Sequence, residues 1–393
     1  MLFFVINLSK ILSLYLKLFG MGIYVHVPFC RNKCFYCGFY AVASLQLKKA
    51  YLQALLHEME LRKNYLPKNQ VDTLYFGGGT PSYLDVDELE MIMYKIHDIW
   101  NLNAGYESSI EMNPEDISRN KLEKLYELGF NRLTIGVQSF HDDILKRINR
   151  HHTAQQAIDG IELAYNAGFN NIGIDLIIGL PGQTSEDIDH DLKMVNILNI
   201  KHISVYILSI DSNSVFEKLI EKGKFESQDD DVLADQYLRI SDRLKDMGYE
   251  HYEISNFAKE AKYSRHNTSY WQQKPYLGLG PAAHSFDLNS RQWNVAHLKN
   301  YIDSLDKGYL NFEKEVLTDS NLYNEYLMTN LRTMWGIDVC LLEEKYPVWW
   351  RNTKKIMDGY LERGLMISVG GGGLRLTEQG WLLSDRIFTE LFV

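Results

Sequence analysis

The chain has 393 residues, with 41 Lys and Arg against 51 Asp and Glu, a formal net charge of −10, and 46% hydrophobic residues. These values describe a soluble globular chain of two or three domains, and they exclude disorder, a disulfide-stapled miniprotein, collagen and a many-span membrane protein. The acidic balance also argues against a nucleic-acid binder, because phosphate neutralisation takes clustered Lys and Arg.

Residues 1–20 are apolar, interrupted by Lys10 and Lys17. Three readings stay open. The segment is an interfacial amphipathic helix, an export signal, or an upstream extension with Met21 as the functional start. The β-branched run that begins at once after Gly22 favours the last. From there short strands alternate with helical patterns. Ile23–Val27 reads as a strand and Leu45–Asn64 as a helix. Thr73–Phe76 is a strand ending in three glycines, and Val86–Ile99 a helix opened by Asp85. Tyr106–Glu111 is a strand, Ser118–Leu128 a helix. Arg132–Val137 is a strand, Thr153–Ala167 a helix. Asn171–Ile178 is a strand, Ser185–Leu198 a helix, and His202–Leu208 the last strand. That alternation predicts an α/β protein with a parallel sheet, doubly wound or barrel.

After about residue 212 the alternation stops. Helices are expected around 229–247 and 296–306, with a loop rich in Gly, Tyr and other aromatics between them. The last stretch, 319–393, reads as a separate unit of helices with a hairpin over Gly370–Gly373, a winged-helix-like shape. The glycine run lacks the Lys-Ser/Thr of a phosphate loop and reads as a turn.

Three of the four cysteines, Cys30, Cys34 and Cys37, lie within eight residues directly after the first strand. Clustering of this kind points to a metal in a reducing compartment rather than to disulfides. The Cys-x3-Cys-x2-Cys spacing can wrap three thiolates around one face of a four-iron cluster and leave one iron open. A structural zinc with His26 as fourth ligand and a chance grouping of core thiols are the alternatives. Cys340 reads as a core thiol, and His151-His152 as a solvated helix entry.

This spacing, with Tyr36 before the last cysteine, resembles the radical S-adenosylmethionine (SAM) superfamily. The resemblance implies a [4Fe-4S] cluster that chelates SAM and can cleave it to a 5′-deoxyadenosyl radical. It also implies a partial (β/α)6 TIM-like barrel over residues 21–212, an accessory α/β segment over 213–318 and the winged-helix-like unit over 319–393. Within it, Gly78, Gly79 and Thr80 of the Gly77–Pro81 loop look like the cradle for the SAM amino group. Glu111, Gln138, Asp175 and Tyr24 resemble SAM contacts. Arg150 resembles the partner of the SAM carboxylate.

Tyr24–Cys30, Phe76–Ser82, Gly136–Phe140 and Ile174–Gly182 are similar to the oxygen-independent coproporphyrinogen III dehydrogenase group. Phe39 stands where the dehydrogenases carry a fourth cysteine. His266-Asn-x-x-Tyr270-Trp271 resembles the haem motif of the HemW-type haem chaperones in that group, with His284 a second haem candidate. The resemblance implies haem binding through His266, Tyr270 and Trp271, and delivery to an apo-haemoprotein of the respiratory chain. It leaves room for a reductant protein, a membrane-associated partner and a dimer, and implies a cytoplasmic location. Coproporphyrinogen decarboxylation is the alternative, and a radical enzyme on another substrate the third reading.

Overall fold

The structure, a computed structural model, describes residues 20–66, 70–210, 215–223 and 225–393. The expectations for residues 1–19 and the boundary at residue 212/213 lie outside the described residues. Six strands run parallel in chain order: β1 Met21–Val27, β2 Gln70–Gly78, β3 Asn101–Met112, β4 Arg132–Gln138, β5 Ile172–Ile178 and β6 His202–Ile207. Helices Lys48–Leu61, Val86–Ile99, Arg119–Glu127, Ala154–Asn166 and Ser185–Ile197 connect them. β1 and β6 do not pair with each other, so the barrel is open, as the partial (β/α)6 expectation requires.

The helices start where the sequence supplies caps. Asp85 with Glu88, Thr153 with Gln156, and Thr184 with Asp187 each form a reciprocal capping box, which satisfies amide donors at the helix start that have no partner inside the helix. Along each strand the side chains alternate between two faces. Ile23, Val25, Leu74, Phe76, Ile110, Leu133, Ile135, Ile172, Ile174 and Ile203 are fully buried in one core with the helix residues Leu55, Ile92, Leu122 and Ile161. Burial is worth about 1.5–3 kcal/mol for each large side chain. The opposite face turns inward and is polar. It carries Thr73, Tyr75, Glu107, Glu111, Arg132, Thr134, Asp175, His202 and Ser204, with Gly22 and Gly173 between them. A Cβ on Gly22 would meet Thr73 and His266, and one on Gly173 would meet His202 and Arg132.

The stretch expected as a loop forms strands instead. β7 Glu250–Glu253 and β8 Asn256–Ala258 make a hairpin antiparallel to β6. β9 Tyr276–Leu279 pairs parallel with β1 at the other edge, followed by β10 His284–Phe286, β11 Ser290–Asn294 and β12 Phe312–Val316. These strands have only three to five residues, too few for an alternating pattern to register. They lengthen the barrel sheet to twelve strands.

The C-terminal stretch packs around its own core of Tyr323, Leu327, Trp350, Met357, Tyr360 and Trp381. Three helices, Asp319–Asn330, Val339–Lys345 and Pro347–Glu362, accompany a three-stranded sheet of β13 Ile337–Asp338, β14 Met366–Val369 and β15 Gly373–Leu376. Two helices, Glu378–Leu382 and Ser384–Leu391, complete it. The hairpin tip turns through Gly371 and Gly372, both at positive φ. Cys340 is a correction: it is exposed rather than a core thiol. It sits on the first turn of helix Val339–Lys345, where Asp338 caps its amide. Among the described residues no helix is long and apolar enough to cross a membrane.

Candidate functional site

The three clustered cysteines sit on the loop after β1. All are free, partly buried thiols, and all line one cavity of about 630 Å³ where the barrel strands end. That is the end at which barrel folds place their chemistry. The loop is tied down by backbone bonds. Cys30 N donates to Val42 O at 3.1 Å, Val42 N to Pro28 O at 2.8 Å, and Phe35 N to Ile148 O at 3.3 Å. Asn149 Nδ2 reaches Lys33 O at 3.0 Å.

The glycine loop at the end of β2 closes on the cysteine loop. Gly79 N donates to Val27 O at 2.8 Å and Thr80 N to Phe29 O at 2.7 Å. Gly78 has φ +107, and a Cβ there would lie 2.6 Å from the His26 ring. One on Gly79 would lie 2.6 Å from Phe29 O. Only glycine allows this approach. Thr80 Oγ1 donates to Cys30 Sγ at 3.4 Å.

Polar residues from the strands and the loops after them reach the same cavity. Glu111, Gln138, Arg150, Asp175 and Tyr36 line it together with Gly78, Gly79 and Thr80. Gln138 holds a left-handed φ of 68 at the last position of β4, a conformation that costs energy outside glycine and collects at functional sites. Tyr24 is set apart: it does not line the cavity, and its hydroxyl is 3.1 Å from His26 Nδ1. The other nitrogen of His26, Nε2, lies 2.9 Å from Tyr40 O. Both nitrogens of His26 are hydrogen-bonded and the residue does not line the cavity with the cysteines, so the arrangement favours three thiolates without it.

Electrostatics fit an anionic, metal-bound cluster with a cationic ligand. Burial pushes the Cys30 thiol up to about 11 and raises Cys37, so thiolates here call for a bound cation. Burial also lifts Glu111 to about 7 and Asp175 to about 6. Glu111 Oε1 accepts from Tyr75 Oη at 2.8 Å. Asp175 Oδ1 and Arg150 Nε are buried without a hydrogen-bond partner, both on cavity residues. These two groups are open to the polar atoms of a ligand in the cavity. Free thiols, a glycine cradle, a guanidinium and two buried carboxylates therefore fit a cluster with SAM on its open iron.

Asn113 was not singled out from the sequence. Its Nδ2 donates to Thr80 Oγ1 at 3.3 Å, and its Oδ1 accepts from Arg150 Nη2 at 2.9 Å. It lies two residues beyond Glu111, and that period-two spacing was the available signal. His152 is a second correction. It is 3% exposed rather than solvated, with Nε2 3.1 Å from Val137 O and Nδ1 beside Glu115. His151 remains exposed.

The haem-candidate motif lies on helix Arg265–Trp271, and its residues part ways. His266 is 1% exposed; its Nδ1 is 2.8 Å from Thr73 Oγ1 and its Nε2 2.7 Å from Tyr270 Oη. Its ring stacks on Tyr75 at 5.2 Å. Trp271 instead lines a second cavity of about 360 Å³ shared with the C-terminal unit, along with Trp335, Tyr326, Tyr346, Lys274 and Lys345. His284 is exposed on β10 and stacks on Trp293.

Residues 24–195 match the Radical SAM superfamily, and residues 317–383 the HemN C-terminal domain. The chain is 34% identical to the heme chaperone HemW of Bacillus subtilis (strain 168) over 373 residues, covering 93% of this chain and 97% of that protein. It is 31% identical to the heme chaperone HemW of Lactococcus lactis subsp. lactis (strain IL1403), covering 94% and 97%. The solved structure of coproporphyrinogen III oxidase (HemN) from Escherichia coli, a radical SAM enzyme, superposes with a TM-score of 0.82 at 25% identity, covering 97% of this chain and 93% of that one.

Proposed function

The chain belongs to the HemW haem-chaperone family of the radical SAM superfamily, and from that premise we propose that it binds haem, a [4Fe-4S] cluster and SAM, and delivers haem to apo-haemoproteins. The observation that carries the reading is likeness to a haem chaperone along nearly the whole of both chains.

In this reading Cys30, Cys34 and Cys37 hold the cluster and leave one iron for SAM. When bound, the cluster supplies single electrons. Gly78, Gly79 and Thr80 present backbone and hydroxyl groups to the SAM amino group. The Arg150 guanidinium pairs with its carboxylate, Glu111, Gln138 and Tyr36 contact it, and Asp175 takes the ribose. Tyr24 supports them through His26. For haem, Trp271 and the neighbouring Trp335 and Tyr346 offer flat apolar walls, and Lys274 and Lys345 offer cations to the carboxylates of the macrocycle. His266 does not line that cavity, and Thr73 and Tyr270 hold both its nitrogens, so this reading rests on Trp271 and takes His266 as the support of the helix that carries it. The recipient is an apo-haemoprotein of the respiratory chain, reached from the cytoplasm at a membrane-associated partner. A reductant protein and a second copy of the chain are further partners of this reading.

The test is an anaerobic haem titration of the purified protein, followed at the Soret band. Binding in the cluster-loaded or the cluster-free form supports the proposal, and no binding in either refutes it. The HemN likeness motivates one companion assay, with coproporphyrinogen III, SAM and a reductant. Protoporphyrinogen formation there would replace the chaperone reading.

A further inference from the structure

We propose that His141, His190 and Asp191 form a binding site for a divalent transition ion of the zinc class on the outer wall of the barrel. None of the three lines the cluster cavity. His141 stands three residues beyond Gln138, the last residue of β4, and the other two lie on helix Ser185–Ile197. One donor atom from each falls within 4.8 Å of the others. The two imidazole rings are 4.6 Å apart between centroids.

The site is built rather than incidental. Asp191 is buried, and its carboxylate is fixed: Oδ1 accepts from Phe140 N at 2.7 Å and Oδ2 from Ser139 Oγ at 3.0 Å. Its Oδ1 then lies 3.8 Å from His141 Nε2. Nε2 also lies 3.3 Å from Asp187 O, a contact that a bound ion would replace, while the other ring nitrogen, Nδ1, faces Asp187 Oδ1 at 3.5 Å. A carboxylate behind the far nitrogen is the support that orients a metal-ligating imidazole. Neither Asp187 nor Asp191 has a Lys or Arg within ion-pair distance among the described residues. Two imidazoles and a carboxylate suit zinc, and three protein donors leave positions for water. His190 is exposed, so an ion reaches the site from solvent.

The position gives the ion a consequence. The segment it would pin begins just after Gln138 and ends at Arg150, and both of those residues line the cluster cavity. A bound ion ties that segment to helix Ser185–Ile197 and stiffens one wall of the cavity.

The experiment is calorimetric titration of the cluster-loaded protein with zinc chloride under anaerobic conditions. Hydrogen exchange over residues 139–150 is measured with and without the ion. One equivalent is expected, with slower exchange in that segment. His190→Ala and His141→Ala should each weaken binding at least about tenfold, while His57→Ala, altered at another exposed histidine, leaves it unchanged. Circular dichroism of the His190→Ala protein, altered only at an exposed side chain, checks that the fold is kept. Unchanged zinc affinity in both variants, equal weakening by His57→Ala, or no binding to the wild type would overturn the site.

Discussion

Arg150 Nη1 lies 3.6 Å from Cys34 Sγ, while Nη2 of the same guanidinium donates to Gly136 O at 2.6 Å and Asn113 Oδ1 at 2.9 Å. One side chain thus joins the cysteine loop to the ends of β3 and β4. A lysine keeps the charge but not the planar fork. Arg150→Lys should keep its cluster and weaken SAM binding about tenfold or more, since hydrogen bonds to charged groups are worth about 1.5–3 kcal/mol. Equilibrium dialysis with labelled SAM on cluster-loaded protein checks this. Equal affinity in the two proteins would remove Arg150 from the site.

Cys34→Ser tests the ligand set. The iron–sulfur charge-transfer absorbance should be lost, while the far-ultraviolet dichroism stays that of the wild type. The thiol is on a loop held by backbone bonds that the substitution leaves in place. A cluster that persists unchanged means that Cys34 is not a ligand.

The cluster loop, the glycine cradle and the six strands were legible because each rests on a local pattern. Cysteine spacing, a glycine run after an apolar strand, and period-two alternation all survive in one dimension. Glu111, Gln138 and Asp175 stood out for a related reason: the first two are polar residues at strand ends, and Asp175 is the one charged residue of an apolar strand. What was not legible was set by distant partners. Nothing near His152 announces that Val137 O and Glu115 will bury it. Asp338, two residues before Cys340, does signal a helix start, but nothing local tells which face of that helix the core will take, and the thiol falls on the exposed one. The short strands β7 to β11 are defined by the sheet edges they join rather than by their own sequence.

The two raised carboxylates set a pH dependence. Burial lifts Glu111 from 4.5 to about 7 and Asp175 from 3.8 to about 6. Below the ordinary values both are protonated folded and unfolded alike, and their contribution is fully present. As pH rises the unfolded chain ionises first, so stability from these groups falls through the window up to about 7. A tenfold difference in acidity between the folded and unfolded chain corresponds to about 1.4 kcal/mol. The difference in unfolding free energy between wild type and Glu111→Gln should therefore change between pH 5 and 8 in the direction that favours the variant at high pH. Denaturant titrations at several pH values measure it, and a flat difference would show that Glu111 is ionised throughout. SAM carries a sulfonium and an ammonium charge, so its affinity should rise over the same window.

Trp271 separates haem binding from cluster binding. It lines the second cavity, away from Cys30, Cys34 and Cys37. Trp271→Ala should weaken haem binding several-fold and leave the cluster absorbance intact, and Lys274→Glu should act in the same direction. Haem titrations of the two variants check it. Unchanged affinity in both would move haem away from this cavity.

A buried ion pair holds the accessory strands to the barrel. Glu58 is fully buried, and its Oε1 accepts from Arg62 Nε at 2.9 Å and Asn294 Nδ2 at 2.7 Å. Its Oε2 accepts from Gly280 N at 2.8 Å and Tyr301 Oη at 2.6 Å. Arg62 donates onward to Gln292 Oε1 at 3.1 Å and Asn294 Oδ1 at 2.8 Å. The hydrogen-bond partners just named outside helix Lys48–Leu61 and Arg62 all come from residues 280–301, so the network joins the first helix to β11 and its neighbours. Glu58→Ala strands the Arg62 charge in a dry site, and breaking a buried pair this way costs about 3–5 kcal/mol. Glu60, on the same helix and paired at the surface with both Lys63 and Lys95, is the exposed control, whose loss should cost far less because solvent screens those pairs. Urea unfolding of Glu58→Ala and Glu60→Ala compares them directly. If the two losses are equal, water reaches Arg62 and the network does not anchor the accessory strands.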